Sequence, residues 1–195
     1  MAYHIGLTGG IACGKSTLAE GLRARGWHVI DTDQIAYRVL APGAETWKIV
    51  VDAFGPSILQ PDQSIDRKVL GRLVFADPRQ RARLNEITHP AIRSVWQRER
   101  EERARTHPTQ SLAVMIPLLF ECALESAFAV VWCVGASRRT QIRRLAARGL
   151  SETEAAQRLD SQFPVAEKMA RAQVAFWGEG TPATLLAQLD HVRFA

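Results

Sequence analysis

The sequence predicts an α/β fold, a five-stranded parallel sheet flanked by helices, with an inserted helical domain and a second, arginine-rich helical segment. Three observations predict it. Short apolar runs alternate with helix-compatible segments, the order that builds parallel sheets. The first run passes through a glycine-rich turn straight into the first helix. Between Pro42 and Thr106 the pattern is mainly helical, which is too long for a plain connection between strands.

Composition bounds the rest. A chain of 195 residues that is 47% hydrophobic can bury a real core. Its net charge of +5, from 25 Lys and Arg against 20 Asp and Glu, suggests an acidic partner. The excess is mostly arginine, whose planar fork suits bidentate phosphate contacts. Cys13, Cys122 and Cys133 are too few and too irregular for a disulfide framework or a zinc site. The chain opens directly into the glycine-rich loop, and no run reaches the roughly 18 apolar residues of a membrane span. The expectation is a soluble, cytoplasmic protein with no membrane partner.

The first strand is predicted over residues 3–8, followed by a helix from Lys15 to Arg25 that Gly26 closes. Between them Gly9, Gly14, Lys15 and Ser16 fall at the spacing G-x-x-x-x-G-K-S, in strand-to-helix context. A phosphate-binding loop needs this arrangement. Its backbone N–H groups must converge on one anion, which calls for positive-φ positions that Gly9, Gly10 and Gly14 can supply. The helix N-terminus adds unpaired N–H groups and the positive end of its dipole; Lys15 reaches the outer phosphates and Ser16 holds magnesium.

Trp27 to Ile30 is the second strand, ending in Asp31-Thr32-Asp33. Carboxylates there stand at the edge where open α/β sheets bind ligands, although Asp or Thr would also cap a helix over Gln34 to Leu40. In the helical stretch, Gln97 to Arg105 mixes charges at i, i+3 and i+4, as a solvated helix face does. His89 precedes Pro90 and is therefore biased to extended backbone, which would set Arg93 at a loop-helix junction. On the residues alone, a structural histidine is the simpler reading.

Leu112 to Leu119 reads as a central strand covered on both faces, with Pro117 near its end and Glu121 just beyond, at the ligand edge. Ala129 to Val134 is a fourth strand, ended by Gly135, and Ala172 to Phe176 a fifth. Between these two lie helices at Ser137 to Arg148 and Ser151 to Gln162, the second opened by a Ser151/Glu154 capping box. They carry Arg138, Arg139, Arg143, Arg144, Arg148 and Arg158, the build of a lid that closes over a nucleotide. Leu185 to Val192 reads as an amphipathic terminal helix.

Together these residues resemble the dephospho-coenzyme A kinase family from Ile5 to about Gly178. The likeness rests on Gly-Leu-Thr-Gly-Gly-Ile before Gly14-Lys15-Ser16-Thr17, on Val29-Ile30-Asp31-Thr32-Asp33, and on Phe54-Gly55, Asp66-Arg67 and Val74-Phe75. It continues through His89-Pro90 with Ile92-Arg93, Pro117-Leu118-Leu119-Phe120-Glu121, Gln141 with Arg144 and Arg148, and Arg158 with Gln162. The loop alone is common to many NTPases, whereas the ordered set is specific.

The resemblance implies a P-loop NTPase fold that phosphorylates the 3′-hydroxyl of dephospho-coenzyme A with ATP and Mg²⁺, the last step of coenzyme A biosynthesis. It implies a nucleotide core over 1–33, 110–136 and 170–195, an acceptor domain over 34–109 and a lid over 137–169. By that likeness Gly10, Ile11, Ala12, Cys13, Gly14, Lys15, Ser16 and Thr17 cradle ATP, Arg144 and Arg148 approach the transferring phosphoryl group, and Asp33 is the base. Arg38, Phe75, His89, Arg93 and Glu121 fall on the acceptor side, Ser16 on the metal, and Asp31 on the metal through water. An ordinary aspartate pKa near 4 is far below that of a sugar hydroxyl, so Asp33 is read as orienting the hydroxyl and taking its proton late.

The chain departs from the family pattern in places. Ala12-Cys13 replaces the usual Gly-Ser, Tyr37 stands beside Arg38 where Arg or His is usual, and Gln173 and Gly178 stand where the family has Asp and an adenine-contacting Asn. Cys13 is read as a packing choice. The nearest rival is a nucleoside monophosphate kinase, which would have no use for an aspartate base. A more distant one is a P-loop ATPase or nucleic-acid-binding switch, against which stand the missing plain Walker-B aspartate and aromatics that are not interleaved with basic residues. The expected partners are ATP and dephospho-coenzyme A, without nucleic acid, acting on a monomer or weak homo-oligomer.

Overall fold

A computed structural model describes residues 2–192; residue 1 and residues 193–195 of the predicted core lie outside the described residues. Five strands, β1 His4–Gly9, β2 His28–Asp31, β3 Leu112–Met115, β4 Val130–Gly135 and β5 Val174–Trp177, form one sheet in the order β2-β3-β1-β4-β5. β1 pairs in parallel with β3 and β4, and β4 with β5. The chain divides into two compact units, Met1–Ile30 with Arg103–Ala195, and Asp31–Glu102.

In the first unit the near-continuous burial of β1, β3 and β4 follows from helices covering both faces. Ile5 and Leu7 on one face of β1 pack with Leu18 and Leu22 of α1 (Lys15–Ala24) and Leu185 of α9 (Pro182–Ala187). Each such buried aliphatic contributes about 1.5–3 kcal/mol. Trp132 fills the layer between Trp27 and Phe176, with ring centroids 5.7 and 5.2 Å away. Gly6 points to the opposite face, where a Cβ would meet Leu119 and Phe128 at 2.8 Å.

β3 is shorter than the apolar run that predicts it. Ile116 still donates to the Leu7 carbonyl at 2.8 Å, but Pro117 has no N–H to extend the pairing and the chain turns. The predicted helices after β4 appear as α6 (Arg138–Ala146) and α7 (Glu152–Asp160), the latter with the complete Ser151/Glu154 capping box. A further helix, α8 (Val165–Arg171), packs on β4 and β1 and was not expected. The terminal helix is split, α9 passing at Gln188 into a 3₁₀ turn.

The second unit contains α2 (Thr32–Val39), α3 (Glu45–Phe54), α4 (Arg67–Ala76) and most of α5 (Pro78–Thr106). Leu40, Val50, Ile58, Ile65, Leu70 and Val74 form its core, joined by the half-buried Trp47, Phe54, Phe75, Leu84 and Ile87. Asp66 caps α4 by accepting from Lys68 and Val69 N–H at 2.8 and 3.0 Å.

One expectation fails here. His89-Pro90 does not break the chain into loop and helix; Pro90 lies inside the 29-residue α5. Proline inside a helix costs about 3 kcal/mol, yet helix extends far enough on both sides for cooperative propagation to outweigh the local bias. The Thr88 hydroxyl donates to the Leu84 carbonyl at 2.8 Å in the turn before it. His89 and Arg93 are therefore neighbours one turn apart on a helix, with Arg93 exposed.

Candidate active site

The loop between β1 and α1 takes positive φ at Gly9 (146°), Ala12 (59°) and Gly14 (110°). The expected set was Gly9, Gly10 and Gly14. Gly10 is needed for space instead, since a Cβ there would lie 2.5 Å from Val165 Cγ2 and 2.7 Å from Gln141 Nε2. The left-handed position falls on Ala12, at a cost of about 1–2 kcal/mol. Gly14 enters α1 with no side-chain cap, so the first-turn N–H groups remain for an anion. Lys15 Nζ folds back on the carbonyls of Gly9 and Gly10 at 3.0 and 2.8 Å. Ser16 is exposed and Thr17 half-buried. The Cys13 thiol is wholly buried and its pKa is pushed up by that burial, which keeps it protonated and fits a packing role.

Helix α6 fastens this loop. Gln141 Nε2 donates to the Ile11 carbonyl at 2.8 Å, and Arg144 Nη1 to the Ala12 carbonyl at 3.0 Å. The other arm of the guanidinium, Nη2, reaches the carbonyls of Gly178 at 2.7 Å and Gly180 at 3.4 Å, beyond β5. Between those glycines Glu179 accepts from the Ser137 N–H and the Thr140 hydroxyl, both at 2.6 Å. These bonds, Thr140's first, hold its carboxyl down to about 2. Arg148 lies beyond the end of α6 and is exposed.

At Gly178, where the resemblance leads to an expectation of asparagine, the backbone requires glycine. A Cβ there would fall 2.0 Å from the Cys13 carbonyl oxygen, while Gly178 N–H bonds the Gly135 carbonyl at 2.6 Å. No side chain fits at this position with this backbone. Gln173 uses its side-chain oxygen on the Val131 N–H at 2.8 Å, extending the β4–β5 pairing.

Glu121 stands beyond β3, and its surroundings were not foreseen. Its Oε1 lies 2.6 Å from Nζ of Lys168, a residue with 0% exposure, and accepts the Phe163 N–H at 2.9 Å. Its buried Oε2 has no hydrogen-bond partner.

In the second unit Asp31 Oδ1 accepts the N–H groups of Asp33 at 2.9 Å and Gln34 at 3.4 Å, which makes Asp31 the N-cap of α2. Asp33 sits in the first turn, exposed. Arg38 is exposed, with Nη2 3.5 Å from Glu99. Tyr37, 58% exposed, lies under the Arg67 guanidinium at 4.5 Å from its ring centre. Phe75 packs against the core, and burial pushes the His89 pKa down, favouring the neutral imidazole.

Sequence reasoning missed Lys168 and Glu179 as structural partners of the site. A lysine in a short helix and a glutamate between glycines read as surface charges, and no spacing in the sequence marks them otherwise.

Comparison with known proteins supplies the family. The dephospho-CoA kinase family model matches residues 3–181. A protein of Geobacter sulfurreducens named dephospho-CoA kinase is 45% identical over 189 residues, covering 96% of this chain and 95% of its own. Among solved structures, TT1252 from Thermus thermophilus superposes with a TM-score of 0.78 at 32% identity, covering 99% of both chains. Dephospho-CoA kinase from Campylobacter jejuni does so with a TM-score of 0.68 at 28% identity, over 98% of this chain and 96% of that one.

Proposed function

The chain belongs to the dephospho-CoA kinase family, and from that premise we propose how its residues divide the work. It is a kinase that phosphorylates dephospho-CoA with ATP as co-substrate, in coenzyme A biosynthesis. The acceptor atom in this reading is the 3′-hydroxyl of the ribose. The loop from Gly10 to Thr17 receives the ATP phosphates on its N–H groups and on the N-terminus of α1, with Lys15 leaving the Gly9 and Gly10 carbonyls for the outer phosphates. Arg144 holds the loop in shape from α6, and the exposed Arg148 meets the charge of the transferring group.

The observation that carries the acceptor assignment is the division between Asp31 and Asp33. Asp31 Oδ1 is committed to the helix cap, which places Asp33 in the exposed first turn beside the strand end, outside the cap. Asp33 then orients the sugar hydroxyl and takes its proton late in an in-line transfer through a loose transition state. Arg38, Phe75, His89, Arg93 and Glu121 are assigned to the acceptor, with His89 neutral as a hydrogen-bonding group.

The donors present suit Mg²⁺, which favours hard oxygen ligands and keeps several waters. The exposed Ser16 hydroxyl would hold it directly and Asp31 through water. Bound there, the ion would neutralise charge on the β and γ phosphate oxygens. Among the described residues no helix is long and apolar enough to cross a membrane, and a cytoplasmic monomer or weak homo-oligomer without nucleic acid completes the reading.

ADP release in the presence of dephospho-CoA, of a panel of nucleoside monophosphates, or of DNA tests the assignment. Stimulation by dephospho-CoA alone, with phosphate appearing on the 3′-oxygen, is the expected result. Stimulation only by a monophosphate or by DNA overturns it.

A further inference from the structure

The lysine at position 168 has a job that its sequence context hides. Its side chain is fully buried, and its ammonium makes a 2.6 Å ion pair with Glu121 Oε1 and donates at 3.0 Å to the Pro117 carbonyl. That carbonyl also accepts the hydroxyl of Thr8 at 3.2 Å, and Thr8 is the buried residue immediately before Gly9 of the phosphate loop. Glu121 Oε1 in turn receives the Phe163 N–H at 2.9 Å. One ammonium thus joins three pieces: the root of the phosphate loop, the turn after β3, and the segment between α7 and α8 where the arginine-rich arm returns to the sheet.

The other end of the arm is fixed differently. Glu179 holds Ser137 and Thr140 at the start of α6, and Gln141 and Arg144 bind the loop carbonyls. A buried charge pair is a poor source of net stability, because desolvating both ions costs nearly what their attraction returns. Such a pair is better suited to fixing geometry.

We propose that Lys168 is a positioning residue for phosphoryl transfer. It locks the return end of the arm to the root of the phosphate loop, so that the arm closes over ATP as one body and keeps water out. This rests on reading residues 137–169 as a closing arm. Lys168 need not touch substrate; it acts through Glu121, Pro117 and Thr8.

Lys168→Met alone leaves the Glu121 carboxylate buried without its counter-ion and is expected to lose stability. The double variant Lys168→Met/Glu121→Gln removes both charges together and keeps an acceptor for the Phe163 N–H, so it is the variant to test, beside Glu121→Gln alone, which retains the lysine. The readouts are kcat and KM for each substrate, ATP binding by calorimetry, thermal unfolding, and the ratio of ADP released to coenzyme A formed. We expect the double variant to fold, to bind ATP within about threefold of the parent, and to lose about tenfold or more in kcat relative to Glu121→Gln, which shares any loss of an acceptor contact, with ADP per product rising at least about threefold as water gains access. Glu121→Gln alone breaks the ion pair but retains the Lys168 bond to the Pro117 carbonyl, so its ratio should rise less than that of the double variant. A folded double variant with kcat and ratio both unchanged overturns the proposal, as does a loss that follows thermal stability with the ratio unchanged, or a ratio that rises equally in Glu121→Gln. Turnover by the parent enzyme is the control: its absence with dephospho-CoA would count against the proposed function and not against Lys168.

Discussion

Arg144 Nη1 donates to the Ala12 carbonyl at 3.0 Å, so an arginine of the second helical segment grips the phosphate loop at a residue that is itself left-handed. With Nη2 on the carbonyls of Gly178 and Gly180, one guanidinium spans the loop before α1 and the loop after β5. A lysine ammonium is a point charge and cannot span both. Arg144→Lys is expected to raise the KM for ATP and lower kcat by about tenfold each, or more. Steady-state kinetics with ATP as the varied substrate checks this; parent-like values for both constants would remove the clasp from the mechanism.

Ala12 at φ 59° pays a steric penalty that glycine would not. Ala12→Gly is expected to stabilise the protein by about 0.5–1 kcal/mol, since relief of the strained alanine exceeds the entropy that glycine adds to the unfolded chain. At this chain length that is a rise of about 1–4 °C in Tm, readable by calorimetry. Gly14→Ala should do the reverse, because a Cβ there has φ 110° and lies 2.8 Å from Leu185 Cδ2.

Asp31 and Asp33 should separate cleanly. Asp31→Ala removes the cap of α2 and costs about 1 kcal/mol of stability. Asp33→Asn leaves the cap intact and is expected to bind ATP normally while turnover falls about 10²–10⁴-fold. Denaturation curves and single-turnover assays on the two variants measure the difference. Near-normal turnover of Asp33→Asn removes that residue from the reaction.

Glu179 gives the site a pH signature. Its folded-state pKa of about 2 lies below the usual 4.5, because Thr140 and Ser137 donate to the carboxylate. A depressed acid contributes its stability above the unfolded pKa and loses it as pH falls through the folded one. The Tm advantage of the parent over Glu179→Gln should therefore be full at neutral pH, shrink below about pH 4.5, and be gone near pH 2. An advantage that is constant over that range would show that the carboxylate's charge is not what holds α6.

Much of the core was legible because its signals are local. The Gly9-to-Ser16 spacing, the apolar runs of β1, β3 and β4, and the Ser151/Glu154 box each sit within a short stretch of chain whose physics needs no partner. Two expectations fail for reasons that lie beyond a short stretch: the Pro90 break is outweighed by helix cooperativity along the whole of α5, and Gly10 is a glycine for the space that Gln141 and Val165 fill, the positive φ falling on Ala12 instead. The end of β3 is again local, set by the missing N–H of Pro117.

The sequence by itself determined the family, the phosphate loop, and the five strands with the helices that flank them other than α8. Tertiary structure alone decided that Arg144 binds carbonyls of two separate loops and that Lys168 is buried against Glu121. The reason is sequence separation. Charge on a lysine is visible in the chain, but whether that charge meets water or a carboxylate 47 residues away depends on which turns the sheet brings together, here those after β3 and before α8.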